Sequence, residues 1–409
     1  MDYSTIISLF KAYESVRWSI MQYLTDPKSG NRLSILGFGC MRFPRDRDKT
    51  EKLIVEAVKS GVNYFDTAYV YGNSEVTLGA ILHKNNLRES IYIATKLPHQ
   101  KCKEYGDFEK LFQEQLSRLK TNYIDYYLIH NLSDISAWRR LREMGILKWI
   151  SEKKANREIR QIGFSFHGAQ NEFMDLIEAY EWDFCQIQYN YMDENYQAGQ
   201  TGLRKAHEKG IPVIVMEPLL GGKLATGLPP KAVQLFKKID AESSAASWAF
   251  RWLWNQPEVT VVLSGMNSME QLSDNINTAE TAKHGMITDE ISAVFELVIA
   301  EIHMAYKVPC TGCNYCMPCP NNVNIPGCFA AYNTFNVMGR ISGFTQYVTG
   351  TGASNSENQR GPKNCVKCGV CEQQCPQHIE IIKQLEVVRR SMEPFWFNPV
   401  IWLVQKLMR

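Results

Sequence analysis

An acid, a phenol, an amine and an imidazole stand at or just past the ends of three successive apolar runs. Asp66 and Tyr71 lie in YFDTAYVYGNSE, Lys96 closes IYIATK and His130 closes IDYYLIH. A phenol keeps its proton to about pH 10 and is a poor acid at neutrality. A nearby ammonium stabilises the phenolate and lowers that value. Lys96 can supply the charge. Asp66 can hold Lys96 in place and protonated, and His130 can hydrogen-bond the reacting oxygen. Such a set would protonate a carbonyl oxygen while hydride reaches the carbon, or run the reverse. A single Asp or Lys at a strand end is ordinarily a surface or ion-pair residue. Four such residues, with DTAxxYG around the first pair, argue for catalysis.

A second chemistry sits near the C-terminal end. Eight of the 12 cysteines fall in two tight runs. Cys310, Cys313, Cys316 and Cys319 are each two residues apart and are followed by Pro320; Cys365, Cys368, Cys371 and Cys375 follow C-x2-C-x2-C-x3-C-P. This is the spacing of two-cluster bacterial ferredoxins, in which the fourth cysteine of each run serves the other cluster. On that rule one 4Fe-4S cluster takes Cys310, Cys313, Cys316 and Cys375. The other takes Cys365, Cys368, Cys371 and Cys319. Because the first run is one residue short before Cys319, that ligand is the weakest assignment. Zinc is the alternative, but it usually draws paired CxxC knuckles, four ligands per ion. Cys40, Cys185 and Cys328 read as packing residues.

The catalytic residues need elements that bring strand ends together. From Leu33 the pattern alternates: ILGFGCM, VNYFD, IYIATK, IDYYLIH, RQIGFSF, FCQIQYN, PVIVMEP and VTVVLSG are strands separated by helical segments. The clearest helix carries Phe108, Leu111, Phe112, Leu116 and Leu119 inward, with Asp107 as its expected cap. Alternation implies parallel pairing through right-handed crossovers. Eight units over about 280 residues fit a closed (β/α)8 TIM barrel, whose strand ends share one face. No GxGxxG follows the first strand, against an open dinucleotide-binding sheet. The expected organisation is an N-terminal extension over 1–20, the barrel over 21–306, a ferredoxin-like iron–sulfur domain over 307–384 and an apolar tail over 385–409. MQYLTDPKSGNRLS reads as a hairpin, and 329–361 as a Gly/Asn/Ser/Thr-rich insert.

FDTAYVYGNSE, IATK and YYLIH resemble the aldo-keto reductase family over roughly 21–279. The resemblance implies a catalytic tetrad of Asp66, Tyr71, Lys96 and His130, and an extended nicotinamide cofactor bound without a Rossmann motif. It implies that Ser165 in GFSFHG and Gln186 in CQIQYN hold the carboxamide, and that Gly265, Asn267, Gln271 and Asn275 take the adenosine phosphate end. Met216 stands where many members stack an aromatic ring on the nicotinamide, and Phe166 replaces the common asparagine. No Lys or Arg stands where a 2′-phosphate is often gripped, so NADP and NAD both remain open. The whole chain resembles the branch of the family with a C-terminal ferredoxin-like domain.

The remaining signals bound the function class. A formal net charge of +2 and no basic stripe with interleaved aromatics argue against a nucleic-acid surface. Without an export signal, the cysteine runs read as metal ligands in a reducing cytoplasm. The tail EPFWFNPVIWLVQKLMR is expected to pack on its own protein rather than on a membrane. The leading expectation is an oxidoreductase acting on a small carbonyl or alcohol and exchanging electrons through two clusters. The alternatives are an electron-transfer subunit or a nucleotide-sensing protein with the barrel as scaffold. Hydride moves two electrons and each cubane one, so a flavin, bound or on a flavoprotein partner, or a ferredoxin partner completes the expected set.

Overall fold

The computed structural model describes residues 21–353, 359–399 and 401. The expected extension over 1–20 and the end of the tail lie outside the described residues. By their contacts the residues group into two units. One takes in 21–189, 193–218 and 250–286; the other takes in 190–192, 219–249 and 287 onward. The grouping therefore places 287–306 with the cysteine-bearing unit, whereas the sequence reading carried the barrel to 306.

In the first unit, β1 (Tyr23–Thr25) and β2 (Arg32–Ser34) form the expected antiparallel hairpin. Asp26 closes its turn by accepting from the backbone N–H groups of Lys28 and Ser29 and from the Ser29 hydroxyl. Leu33 is fully buried against Tyr64, Tyr126, Phe184 and Ile214. The Tyr126 hydroxyl donates to Asp26 Oδ2 at 2.8 Å. The hairpin thus covers the end of the barrel at which its strands begin.

The barrel is built from β3 (Leu36–Gly39), α1 (Arg47–Lys59), β4 (Tyr64–Asp66), α2 (Ser74–Lys84), β5 (Tyr92–Leu97), α3 (Tyr105–Leu119) and β6 (Ile124–Ile129). It continues with α4 (Ile135–Glu143), α5 (Ile146–Ala155), β7 (Ile159–Phe166), α6 (Gln170–Glu178), β8 (Phe184–Gln188), α7 (Gly199–Glu208) and β9 (Val213–Met216). After α8 (Pro230–Ile239) and α9 (Ala245–Trp254), β10 (Val259–Ser264) pairs with β9 and β3, and α10 (Met269–Thr281) follows. All eight strands are parallel and the sheet closes, as the alternating pattern predicts. Along α3 the inward positions are those expected. Its start differs: Tyr105 opens the helix, and Asp107 sits one turn inside, where its Oδ2 accepts from Lys103 N and Glu104 N. Asp107 satisfies amide donors that precede the helix, so the residue is right and its position is not.

In the second unit, α8 packs with α11 (Asp289–Ala305) through Phe236 and Phe295, whose ring centroids are 5.2 Å apart. Across most of the Gly/Asn/Ser/Thr-rich insert, α12 (Ile325–Met338) and α13 (Arg340–Thr351) form a helical pair. Gly343 makes the pairing possible: a Cβ there would sit 2.4 Å from the Phe335 backbone. The glycine that lowers helix propensity is what lets the helices close. The short α14 (Val370–Gln373) and α15 (Ile381–Met392) complete the unit. Val308, Val323, Phe329, Leu385 and Val388 form its core, with Cys310, Cys316, Cys319, Cys365, Cys371 and Cys375 packed against it. The described part of the tail packs on α13: Phe344 meets Trp396 and Tyr347 meets Phe397, and the Tyr347 hydroxyl donates to Glu393 Oε1 at 2.7 Å. Among the described residues, no helix is long and apolar enough to cross a membrane.

Candidate active site and metal centre

Asp66 is the last residue of β4, Lys96 lies one residue from the end of β5, and His130 directly follows β6. Parallel pairing brings these ends to one face. The Lys96 ammonium donates to Asp66 Oδ1 at 2.6 Å, Asp66 Oδ2 at 2.7 Å and the Thr67 carbonyl at 2.8 Å. It lies 5.4 Å from the centre of the Tyr71 ring. That ring meets His130 edge-on, with centroids 6.0 Å apart. The structure therefore gathers all four residues. Asp66, Lys96 and His130 are buried. Burial pulls the Lys96 ammonium below its usual value, and the adjacent Asp66 carboxylate opposes that pull. Burial also pushes His130 well below the ordinary histidine range, and Lys96, His167 and His99 add to the effect. A neutral His130 can serve as a hydrogen-bonding group at a reacting oxygen but brings no second positive charge.

Behind Lys96 lies a polar network that the sequence reading did not find. Glu75, on α2, accepts from the Thr95 hydroxyl at 2.6 Å, from Gln115 Nε2 at 2.8 Å and from Arg118 at 3.1 Å. Gln115 also donates to the Lys96 carbonyl at 3.1 Å and accepts from the Tyr127 hydroxyl at 2.7 Å. The bonds fix the backbone from which Lys96 projects. One signal was available: Gln115 interrupts the apolar stripe of α3, one turn after Leu111. His167 and His99 are likewise buried among these strand ends, and GFSFHG carries the first of them.

The residues expected to hold a nicotinamide separate into four groups. Gln186, on β8, is fully buried; its Nε2 donates to Asp66 Oδ2 at 2.8 Å, while its Oε1 has no hydrogen-bond partner. A buried acceptor without a donor costs about 1–3 kcal/mol, and the amide of a nicotinamide would relieve it. Ser165 Oγ accepts from Asn131 N at 2.8 Å, which leaves its own proton to donate. These two residues fit a carboxamide. Met216 ends β9 and is half-buried. Gly265, Asn267 and Gln271 are exposed at the start of α10, where Gln271 Oε1 accepts from Asn267 N at 2.9 Å. Asn275 stands apart, buried and donating to the Ser264 hydroxyl at 2.9 Å. In this arrangement its amide braces β10 against α10.

Cys310, Cys313, Cys316 and Cys375 line one cavity. Burial, with the thiols of the other three, pushes Cys316 up to about 12. Burial, Glu372 and the neighbouring Cys365 and Cys319 raise Cys371 to about 11. The first neighbourhood holds Cys310, Cys313, Cys316 and Cys375, and the second holds Cys319 beside Cys365 and Cys371. Gly312 N donates to Cys310 Sγ at 3.4 Å, a contact that suits a charged sulfur. Cys368 is exposed. Among the described residues, no three His, Cys, Asp or Glu side chains are gathered tightly enough for a single ion. The four thiols around one cavity suit a larger group. Cys328 is fully buried in the apolar core, and Cys40 and Cys185 in the barrel.

Comparison with known proteins agrees with this architecture. Residues 35–294 match the model of the aldo/keto reductase family, and residues 309–380 match a 4Fe-4S dicluster domain. The chain belongs to the aldo/keto reductase family, as an oxidoreductase of that type carrying a C-terminal 4Fe-4S dicluster domain. An uncharacterized oxidoreductase of Bacillus subtilis, YqkF, is 25% identical, with 67% of this chain and 96% of the relative covered. The NADH-specific methylglyoxal reductase of Escherichia coli is 26% identical over 56% of this chain and 82% of its own. Among solved structures, the holo form of aldo-keto reductase AKR11C1 from Bacillus halodurans superimposes with a TM-score of 0.58, at 22% identity, covering 68% of this chain and 96% of that one. That last likeness supports the fold alone.

Proposed function

We propose that the barrel interconverts a small carbonyl and its alcohol with a nicotinamide cofactor, and that the second unit carries two 4Fe-4S clusters for one-electron exchange. The observation that carries the reading is the Asp66–Lys96 pair beneath the Tyr71 ring, next to a neutral His130. Tyr71 hands its proton to the carbonyl oxygen. Lys96 stabilises the phenolate left behind, and Asp66 keeps the ammonium aimed and charged. His130 orients the oxygen with a hydrogen bond. Gln186 and Ser165 hold the carboxamide, and Gln186 also steadies Asp66. The nicotinamide, when bound, supplies or takes the hydride. Gly265, Asn267 and Gln271 carry no positive charge for a 2′-phosphate, so NAD and NADP are to be accepted with modest preference. The eight cysteines fit two cubanes, which provide one-electron steps. The protein works on a small substrate, with a ferredoxin or flavoprotein as redox partner.

The test is anaerobic purification with iron, labile-sulfide and bound-cofactor analysis, followed by turnover of simple aldehydes with NADH and NADPH. About eight irons per chain and nicotinamide-dependent turnover are expected. Stoichiometric zinc without sulfide would remove the cluster reading, and tight nucleotide binding without turnover would remove the enzymatic one.

A further inference from the structure

We propose that a basic groove beside the second cysteine run is the docking face for an acidic one-electron carrier protein. The inference rests on the reading of the cysteines as cluster ligands. The groove encloses about 160 Å³ and is walled by Lys363, Cys365, Lys367, Leu385, Glu386 and Arg389, among others. A cluster ligand therefore forms part of the surface that a docked protein would touch. Lys363, Lys367 and Arg389 are all exposed. Glu386 is the one acid among the walls and pairs with Lys367 at 2.5 Å. Lys363, which donates to the Gln359 amide, and Arg389 leave the groove with an excess of positive charge.

Apolar surface lies beside the charge. Val366 is 63% exposed and Val370 46%, and in the chain they stand on either side of the exposed Cys368. Apolar groups next to a cluster ligand, rimmed by charge, have the anatomy of a protein interface. A small anion would gain nothing from the valines, so the occupant that uses the whole face is a protein.

The first run differs. Residues 309–328, PCTGCNYCMPCPNNVNIPGC, contain no charged side chain. A cubane held by four thiolates is anionic overall and repels an acidic protein. Salt screens such a field over about 8–10 Å, so cations at the rim dominate what an approaching partner meets. The cavity lined by the first run has no charged residue in its walls, whereas the groove beside the second is walled by Lys363, Lys367 and Arg389 against Glu386. The asymmetry assigns the second cluster as the one that exchanges electrons outside the chain. A single electron passes, one cluster and the carrier changing oxidation state by one, with no bond made or broken.

The test uses the full chain, loaded with clusters under anaerobic conditions. The probe is a purified acidic two-iron ferredoxin, with a basic cytochrome c as control. Affinity is measured by titration calorimetry at low and physiological salt for wild type, K363E/K367E/R389E, the milder K363Q/R389Q, and K28E, an exposed site that is not part of the groove. Wild type should bind the ferredoxin and not the cytochrome, and should lose affinity with salt. Charge reversal should weaken binding by about tenfold or more, the Gln pair less, and K28E not at all. Iron and sulfide contents show whether each variant keeps its clusters; if the triple variant does not, the Gln pair decides. Unchanged ferredoxin affinity in the Gln pair, or preference for the cytochrome, would overturn the proposal. A wild type with full clusters and no ferredoxin binding would overturn it too, while leaving the cluster reading intact. Missing iron and sulfide in the wild type would instead remove the reading beneath it.

Discussion

At the scale of residues, chemistry depends on which groups are kept charged and which neutral. Gln186 donates to Asp66 and leaves a buried acceptor that the amide of the proposed nicotinamide would satisfy. Gln186→Leu is expected to weaken nicotinamide binding about tenfold, the value of one good hydrogen bond, as read by fluorescence titration; unchanged affinity would remove Gln186 from the cofactor site. His99 governs a pH effect. Arg140 Nη2 lies 3.2 Å from its Nδ1, and Asn131 O is 3.4 Å from its Nε2. The ring is thereby held neutral with its proton on Nε2. Burial, with Arg140, lowers it from 6.5 to about 4. The folded pKa is depressed, so on acidification the unfolded chain takes up the proton first. Stability is full above about pH 6.5 and falls toward pH 4, by roughly 3 kcal/mol from this group; His130 acts in the same direction. Urea unfolding at pH 7 and 4.5 should show a smaller pH dependence for His99→Gln, which can keep both hydrogen bonds. Asp66, Tyr71, Lys96 and His130 are legible in the sequence because each sits in a local motif. The Gln186–Asp66 bond is not, since it joins residues 120 positions apart with no local pattern to announce it. His167 is missed for a related reason: its partners are visible only once the strand ends are assembled.

At the scale of elements, the barrel strands were readable from alternation, because each strand is apolar throughout and each helix carries one apolar stripe. The helical pair α12 and α13 was not, because Gly, Asn and Thr weigh against helix locally and the favourable term is tertiary packing over Gly343. A similar close approach holds the loop at 219–222 against the first cysteine run. Gly221 has φ +69°, and a Cβ there would stand 2.1 Å from the Thr311 carbonyl oxygen. Thr311 lies between Cys310 and Cys313, so the loop backs the ligand segment. Gly221→Ala cannot be absorbed by rotating a side chain, because the obstacle is backbone. It should destabilise this unit by about 3 kcal/mol and lower iron occupancy. Thermal unfolding and iron content would check this, and a variant with wild-type values would show that the loop yields.

At the scale of the whole molecule, the proposed function puts a two-electron site and two one-electron centres in one chain. Direct passage from nicotinamide to a cubane requires a nicotinamide radical, which is unfavourable, and a flavin is the usual group that splits the pair. Excess NADH or NADPH is therefore expected to leave the clusters oxidised in flavin-free protein, as followed by visible absorbance and electron spin resonance. A flavin or flavoprotein should then allow their reduction. Rapid and complete reduction without flavin would mean that the chain passes single electrons by another route. The central claim, that Tyr71 is the proton donor of a nicotinamide-dependent carbonyl reduction, is tested most directly by Tyr71→Phe. The measurement is single-turnover oxidation of bound reduced nicotinamide by an aldehyde, with nucleotide affinity determined in parallel. A loss of about 10²–10⁴-fold in rate with affinity retained is predicted. A Tyr71→Phe protein that turns over at the wild-type rate would contradict the account.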